Sequence, residues 1–318
     1  MKVVLQRDEL VEFIKNNKKI VFNSLFEEKD IKDLLNIHNY LNVFSLKYFF
    51  ANGKRKVINE DGTYRIVYVY DYNTRYKILK KKYLELLKFE NKIREGVLKY
   101  ELELKSHFIF FLEEFIRANN LQFREFLISL EDYDFNTKTT KPISQKTLDK
   151  IEKEWEKQTD IFPRKNPDFS EYYYLLIKVL NFGTLGTLLN HSYKGKKLYT
   201  LFRNYLRKNS DFSIGNIFSD LQSIIVLRNS LCHKESLIIF LEKGLKANNL
   251  YKNPKKDFLQ IRINAISRIY KYYHLRNNKK KKSLKENTWI KNYTKYRLGN
   301  RKVEKFEKLK ISNYSAIN

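Results

Sequence analysis

Ile224-Ile225-Val226-Leu227-Arg228-Asn229-Ser230-Leu231-Cys232-His233 is an apolar run that ends in an arginine, an amide and a histidine. A second apolar run, Leu237-Ile238-Ile239-Phe240, follows it. Neither run contains Gly or Pro, and the setting predicts helix. In a helix Asn229 and His233, four apart, share a face. Arg228 stands five before His233, so it points partly away and needs its long side chain to converge. Arginine is a permanent cation whose planar fork suits phosphate. Histidine can accept or donate a proton near neutral pH. Together they can bind a phosphodiester and move its protons without a metal. Equally, the arginine can cap a helix end and the histidine can be a surface residue, and the pair alone leaves both readings open. One such motif makes a thin active site, whereas two copies facing each other across a dimer make a fuller one.

Working outward, the 318 residues suffice for one large or two modest domains. Hydrophobic residues make up 42% and aromatics 15%, with 23 Tyr and 23 Phe, so a core rich in rings is expected. Only 9 Gly and 4 Pro occur, which disfavours turn-dense β architecture and glycine-rich phosphate loops. The single cysteine, Cys232, excludes an intrachain disulfide framework and a cysteine-based zinc site. His38, His107, His191, His233 and His274 show no HxxxH or HExxH spacing, so no metal site is specified and no cofactor is expected. The N-terminus lacks a signal-peptide core and the apolar runs are too short to cross a membrane. A cytoplasmic protein without a membrane partner is expected.

The charge points to a partner. Sixty-three basic residues face 36 acidic ones, a formal net charge of +27. Abundant Lys, Asn, Ile, Tyr and Phe suit an AT-rich genome, but that bias does not forbid compensating acids. Nucleic acid is the obvious polyanion. No helix-turn-helix or minor-groove arm is evident, which disfavours a DNA-binding regulator. A metal-dependent nuclease lacks a ligand constellation.

The coarse reading is helical almost throughout. Leu10 to Ile14, Ile31 to Ile37 and Leu41 to Phe50 carry helical spacing. Tyr64 to Tyr70 alternates after the turn signal of Asn59 to Gly62, which predicts a short β element within about 55–70. Asp71 to Ala118 reads as a long helix with a break near Gly96, and Leu84, Leu98 and Leu102 count among its apolar positions. Ser129 to Pro142 reads as a loop, Ser144 to Thr159 as a helix, and Phe169 to Leu189 as one helical segment. Leu198 to Leu206, Ile214 to Leu227 and Phe258 to Tyr273 complete the set. No internal repeat or linker appears. One helical body over 1–275 is expected, with an N-terminal elaboration over about 1–80 and a core over about 81–275.

The segment 276–318 differs, with 14 Lys/Arg against 3 Asp/Glu, a net of +11. Arg276, Lys279, Lys280, Lys281, Lys282 and Lys285 open it. Trp289, Tyr293 and Tyr296 are interleaved with Lys291, Lys295, Arg297, Arg301 and Lys302. Basic residues contact phosphates and aromatics stack on unpaired bases, so these residues are candidates for RNA contact. A solvated lysine-rich tail with a few docked aromatics is the alternative.

Three stretches, in order, resemble the Abi-like (abortive-infection) branch of the HEPN superfamily. In Leu34 to Phe44, Leu34, Ile37 and Tyr40 hold the register of L-x-x-I-N-Y-Y-R-L-S. Leu180-Asn181-Phe182-Gly183-Thr184-Leu185 is similar to L-T-F-G-T-L and departs only at Asn181. Leu227-Arg228-Asn229-Ser230-Leu231-Cys232-His233 matches L-R-N-x-x-x-H. Tyr100-Glu101-Leu102-Glu103-Leu104-Lys105 adds a looser likeness to I-E-x-x-L-R/K. The resemblance spans roughly residues 30–240.

It implies an all-α HEPN bundle that cleaves RNA without a metal, at a site formed where two such motifs meet in a homodimer or higher homo-oligomer. Arg228 and His233 would be catalytic with Asn229 in support, and Glu101 and Lys105 would be candidate supporting members behind them. Phe182, Gly183 and Thr184 would serve helix packing. The family is bacterial, tied to phage defence and toxin–antitoxin arrangements, and some members hold a small structured non-coding RNA. A binding protein that acts by assembling with RNA and has no catalysis is the rival.

Overall fold

The computed structural model describes residues 7–38, 40–44, 51–58, 62–70, 74–134, 139–156, 173–215, 220–242 and 254–276. The chain is mostly helical, as the periodicity predicts, with a few short strands. Its elements divide between two compact units, one built from Met1–Lys92, Lys234–Lys243 and Lys281–Asn318, the other from Ile93–His233 and Gly244–Lys280.

In the first unit, α1 (Arg7–Lys18), β1 (Ile20–Val21), α2 (Leu25–Ile37) and α3 (Tyr40–Val43) precede a hairpin of β2 (Ala51–Ile58) and β3 (Tyr64–Tyr70). The hairpin is antiparallel, with Lys54 opposite Tyr68 and Lys56 opposite Ile66, and it carries the β element expected there. β4 (Thr74–Arg75) pairs in parallel with β1. On α2, Ile31 and Leu34 are buried. Asp30 accepts from Tyr76 Oη and Lys80 Nζ, each at 2.6 Å, which fastens α2 to the helical residues that follow β4. The expected apolar positions Leu46, Phe49 and Phe50 lie outside the described residues.

α4 (Tyr76–Ala118) runs 43 residues, about 65 Å at helical rise. Its buried positions fall every three or four residues: Leu79, Tyr83, Leu86, Glu90, Ile93, Val97, Tyr100, Leu104, Phe108 and Phe111. That spacing is the apolar stripe of an amphipathic helix. The expected break at Gly96 does not occur. A Cβ there would stand 3.0 Å from Ile269 Cγ2 and 3.1 Å from Tyr273 Cβ, so the glycine admits a neighbouring helix. Leu84, Leu98 and Leu102 face outward, Leu102 with 66% of its surface exposed.

The second unit continues with α5 (Phe123–Ile128), β5 (Leu130–Asp134), β6 (Thr139–Pro142), α6 (Gln145–Glu156), α7 (Tyr173–Val179), α8 (Phe182–Asn190), β7 (Ser192–Tyr193), β8 (Lys196–Lys197), α9 (Leu198–Asn209) and α10 (Gln222–Cys232). α11 (Leu237–Glu242) belongs to the first unit, and α12 (Pro254–Arg276) returns to the second.

Residues 129–142 are not a loop, since β5 pairs with β6 and also with β7 in a sheet ordered β6-β5-β7-β8. Leu130, opposite Tyr193, is fully buried and anchors that polar segment. The expected helix over 169–189 is, in its described part from 173, not one helix either. Asn181 caps α8 by accepting from Thr184 N at 2.9 Å, which starts a new helix after α7. Glu154 of α6 clamps the corner, accepting from Asn181 N at 2.9 Å and from Thr184 Oγ1 at 2.5 Å.

Candidate functional site

α10 is an apolar helix whose last turn is polar. Ser223, Ile224, Ile225, Leu227, Ser230 and Leu231 are buried, which fixes the helix in the unit and turns Asn229 and His233 outward. α10 packs against α12 and α8. A Cβ at Gly186 of α8 would collide with Ile225 Cδ1, so glycine sets how closely α8 approaches the motif helix. Phe182 and Thr184 are buried beside it.

The helix ends at His233. Its main-chain N–H donates to Asn229 O at 3.0 Å, and its side chain is exposed. The imidazole therefore stands in solvent at the mouth of the last turn, next to the exposed thiol of Cys232.

Arg228 is held from below. Its Nε donates to Glu101 Oε2 of α4 at 2.8 Å, and its Nη1 donates to Asn229 Oδ1 at 3.3 Å. Among the described residues its Nη2 meets no acceptor. Glu101 is 5% exposed and also takes Lys105 Nζ at 2.9 Å. Lys105 is 7% exposed and donates in turn to Lys178 O at 3.2 Å. One buried carboxylate thus lies between two cations, leaving the cluster with one net positive charge. Burial of this kind requires pairing, because an isolated ion there would lose its hydration. The structure accordingly brings together Arg228, Asn229, Glu101 and Lys105, and sets His233 one turn beyond.

A further residue belongs to this group. Arg94 lies seven positions, two helical turns, before Glu101 on the same face of α4. Its Nε donates to Leu231 O at 3.2 Å, so it grips the final turn that carries His233. The spacing of Arg94, Glu101 and Lys105 along one face is visible in the sequence. That this face meets α10 is not.

The RNA-contact residues from Lys279 to Lys302 lie outside the described residues. Arg276 is described, and it closes α12. Its guanidinium is held by Glu103, with Nε to Oε2 at 2.9 Å, and by Asp211, with Nη1 to Oδ2 at 3.3 Å. Those two carboxylates raise its pKa above the ordinary arginine range. Among the described residues no group of three or more His, Cys, Asp or Glu side chains is placed to hold a metal ion. No helix among them is long and apolar enough to cross a membrane.

No known family model matches the chain, and no curated protein or solved structure is significantly similar to it.

Proposed function

We propose that this chain is a metal-independent endoribonuclease of the Abi-like HEPN type, acting in bacterial phage defence or a toxin–antitoxin arrangement and bound to or controlled by a small structured RNA. The observation that supports it best is Arg228, its Nε edge tied to buried Glu101 and its Nη2 without an acceptor among the described residues, one turn from an exposed His233. The net charge of +27 supplies the attraction for RNA.

In this reading His233 takes the proton of a ribose 2′-hydroxyl as that oxygen attacks the adjacent phosphorus. The 2′-oxygen–phosphorus bond forms and the bond to the 5′-oxygen breaks. Arg228 stabilises the charge on the phosphoryl oxygens, with Asn229 steadying its guanidinium. A second histidine, from a partner copy, protonates the departing 5′-oxygen. The products are a 2′,3′-cyclic phosphate and a 5′-hydroxyl. Acid–base transfer of this kind supplies about 10²–10⁴-fold, and a fixed cation a comparable factor. DNA lacks the attacking hydroxyl and resists.

A two-fold homodimer completes such a site. Exposed Leu98 and Leu102 flank Glu101 on α4 and offer apolar surface beside it. Light scattering on nucleic-acid-free protein tests the assembly, and a cleaving monomer refutes it.

The deciding experiment is incubation with mixed single-stranded RNA in EDTA, beside His233→Ala and Arg228→Ala. Wild type cleaves and both variants lose activity. Equal cleavage by all three removes the assignment, and full inhibition by EDTA removes the metal-free route. The same charge also suits a protein that only assembles with RNA. RNA binding without cleavage by wild type would favour that second reading.

A further inference from the structure

The unit that holds Arg228 also carries a cleft whose lining includes none of Arg228, Asn229 and His233. It spans about 520 Å³ between α12, the middle of α4 and the loop after α9. That volume lies within the roughly 300–1,000 Å³ of small-molecule sites.

Three rings border the cleft, of which Tyr100 and Phe212 are buried and Tyr272 keeps part of its surface open. Tyr100, Phe212 and Tyr272 contribute to the lining, and their rings are already packed together. Tyr100 and Phe212 stand 4.9 Å apart between centroids, and Tyr100 and Tyr272 meet edge-on at 5.3 Å.

The charges in the cleft are already matched. Arg268 Nη2 pairs with Asp220 Oδ2 at 3.0 Å. Arg276 pairs with Glu103 and Asp211 and lies over the Tyr272 ring, 5.7 Å from its centroid. Gly215, in the left-handed region at φ +66°, leaves the space that the Arg268–Asp220 pair occupies, since a Cβ there would collide with both partners. A bare anion entering this cleft meets two guanidinium groups already neutralised and the carboxylates that neutralise them. Phosphate alone is therefore a poor occupant.

One face of α12 supplies hydrogen-bond donors instead. Asn264, Ser267 and Lys271 line the cleft three and four residues apart. Asn264 Oδ1 accepts from Gln260 at 2.9 Å, which turns its Nδ2 to the other side. Among the described residues that Nδ2, the Ser267 hydroxyl and the Lys271 ammonium have no acceptor. Neutral donors beside the partly open Tyr272 ring fit a flat heteroaromatic ring with carbonyl and ring-nitrogen acceptors on its edge. Lys271, the one unmatched cation on the rim among the described residues, fits a phosphate joined to that ring. The cleft also lies where the basic segment begins, because Arg276 is both a lining residue and its first member.

We propose that this cleft binds a nucleobase, with Asn264 and Ser267 reading its edge and Lys271 receiving its phosphate. The base can come from a free nucleotide or from an unpaired position in RNA, and the chemistry of recognition is shared.

The test titrates adenosine, guanosine, cytidine and uridine 5′-monophosphates into the full chain freed of nucleic acid, by calorimetry and saturation-transfer NMR. Inorganic phosphate and an unpaired tetraribonucleotide run beside them. At least one monophosphate binds, and inorganic phosphate does not compete at equal concentration. Asn264→Ala, at an exposed position, weakens binding about fivefold, the size of one lost hydrogen bond. Ser267→Trp fills the cleft and weakens it at least about tenfold. Tetranucleotide binding with the same sensitivity to both variants names an RNA base as the source, and binding of monophosphates alone names a free nucleotide. His233→Ala binds like wild type, so failure of the ribonuclease reading leaves this result standing. The proposal is overturned if no monophosphate binds at millimolar concentration, if inorganic phosphate competes equally, or if both variants bind as wild type with unchanged circular dichroism.

Discussion

Arg94 donates its Nε–H to the main-chain oxygen of Leu231, 3.2 Å away and 137 residues further along the chain. Leu231 O also accepts from the His233 N–H, so this carbonyl fastens the last turn of α10 from two sides. Arg94 therefore acts as a positioning residue for His233. Arg94→Ala loses one charge-assisted bond, a cost of about 1–2 kcal/mol in stability. On the ribonuclease reading it lowers kcat about tenfold and leaves KM near wild type, because a displacement of about 1 Å in a catalytic group is felt mainly in the transition state. Arg94→Lys keeps the charge without the planar fork and recovers little. Wild-type kcat in Arg94→Ala would reduce the contact to a helix fastener.

Glu101 pairs with both Arg228 and Lys105, and it is nearly fully buried. Glu101→Gln leaves two cations facing each other with their anion removed. Breaking a buried pair on one side costs about 3–5 kcal/mol, so urea unfolding should show a loss near the lower end, since Arg228 is partly exposed. Lys105→Met in the same background recovers part of that loss, because it removes one of the stranded charges. An additive double mutant would mean that Glu101 and Lys105 are uncoupled.

Gly186 meets Ile225 where α8 crosses the motif helix. Gly186→Ala forces that contact apart and costs about 1–3 kcal/mol, against the roughly 1 kcal/mol that alanine ordinarily gains over glycine within a helix. Ile225→Val removes the methyl that the new Cβ strikes, so the double variant is more stable than Gly186→Ala alone. Thermal denaturation of the four proteins measures the recovery. A stabilised single variant would show that the helices shift without cost.

The features legible in the sequence were those that depend on near neighbours. The buried face of α4 recurs through Ile93, Val97, Leu104 and Phe108 within a few turns, and periodicity found it. The hairpin of β2 and β3 follows from local alternation and a turn. β5 is not legible locally, because its anchoring partner is β7, some 60 residues away, and its own composition is polar. The break after α7 was written in Asn181, a favoured capping residue, but its capping bond to Thr184 was outweighed by the apolar run around it. Arg228, Asn229 and His233 were legible as a motif. Their setting was not, because the contact of Arg228 with Glu101 spans 127 residues and depends on which helix faces meet.

His38 closes α2 and meets the Tyr83 ring edge-on at 5.2 Å. Burial lowers its pKa from the ordinary 6.5, because the charged form is poorly solvated there. Above 6.5 both folded and unfolded chains carry the neutral ring, and His38 is neutral to stability. Below 6.5 the unfolded chain takes up the proton first, so stability falls as pH drops toward the lower folded value. His38→Phe keeps a ring against Tyr83 and removes the proton. Its unfolding midpoint should change less than that of wild type between about pH 7 and pH 5. Parallel curves for the two proteins would assign the acid limb to other groups.

Arg276 is committed to Glu103 and Asp211, so a cut that removes it would disturb the fold as well as the charge. The informative truncation follows Arg276. It deletes 13 basic and 3 acidic residues together with Trp289, Tyr293 and Tyr296. The melting temperature of the truncated protein checks that the helical units stay folded without the segment. RNA affinity should fall most at low salt, where counterion release drives binding. The slope of log affinity against log salt should drop by about 0.7 for each single-strand phosphate that the shortened chain no longer neutralises. Raising the salt narrows the gap between the two proteins, because the attraction the segment supplies is the one that salt weakens. Stacking by the deleted aromatics, about 1–3 kcal/mol per base, leaves a residual difference that salt does not erase. Binding measured at two salt concentrations separates the two effects. Equal affinity and equal slope in the truncated protein would assign RNA contact to the helical units, and the segment would then be a solvated extension.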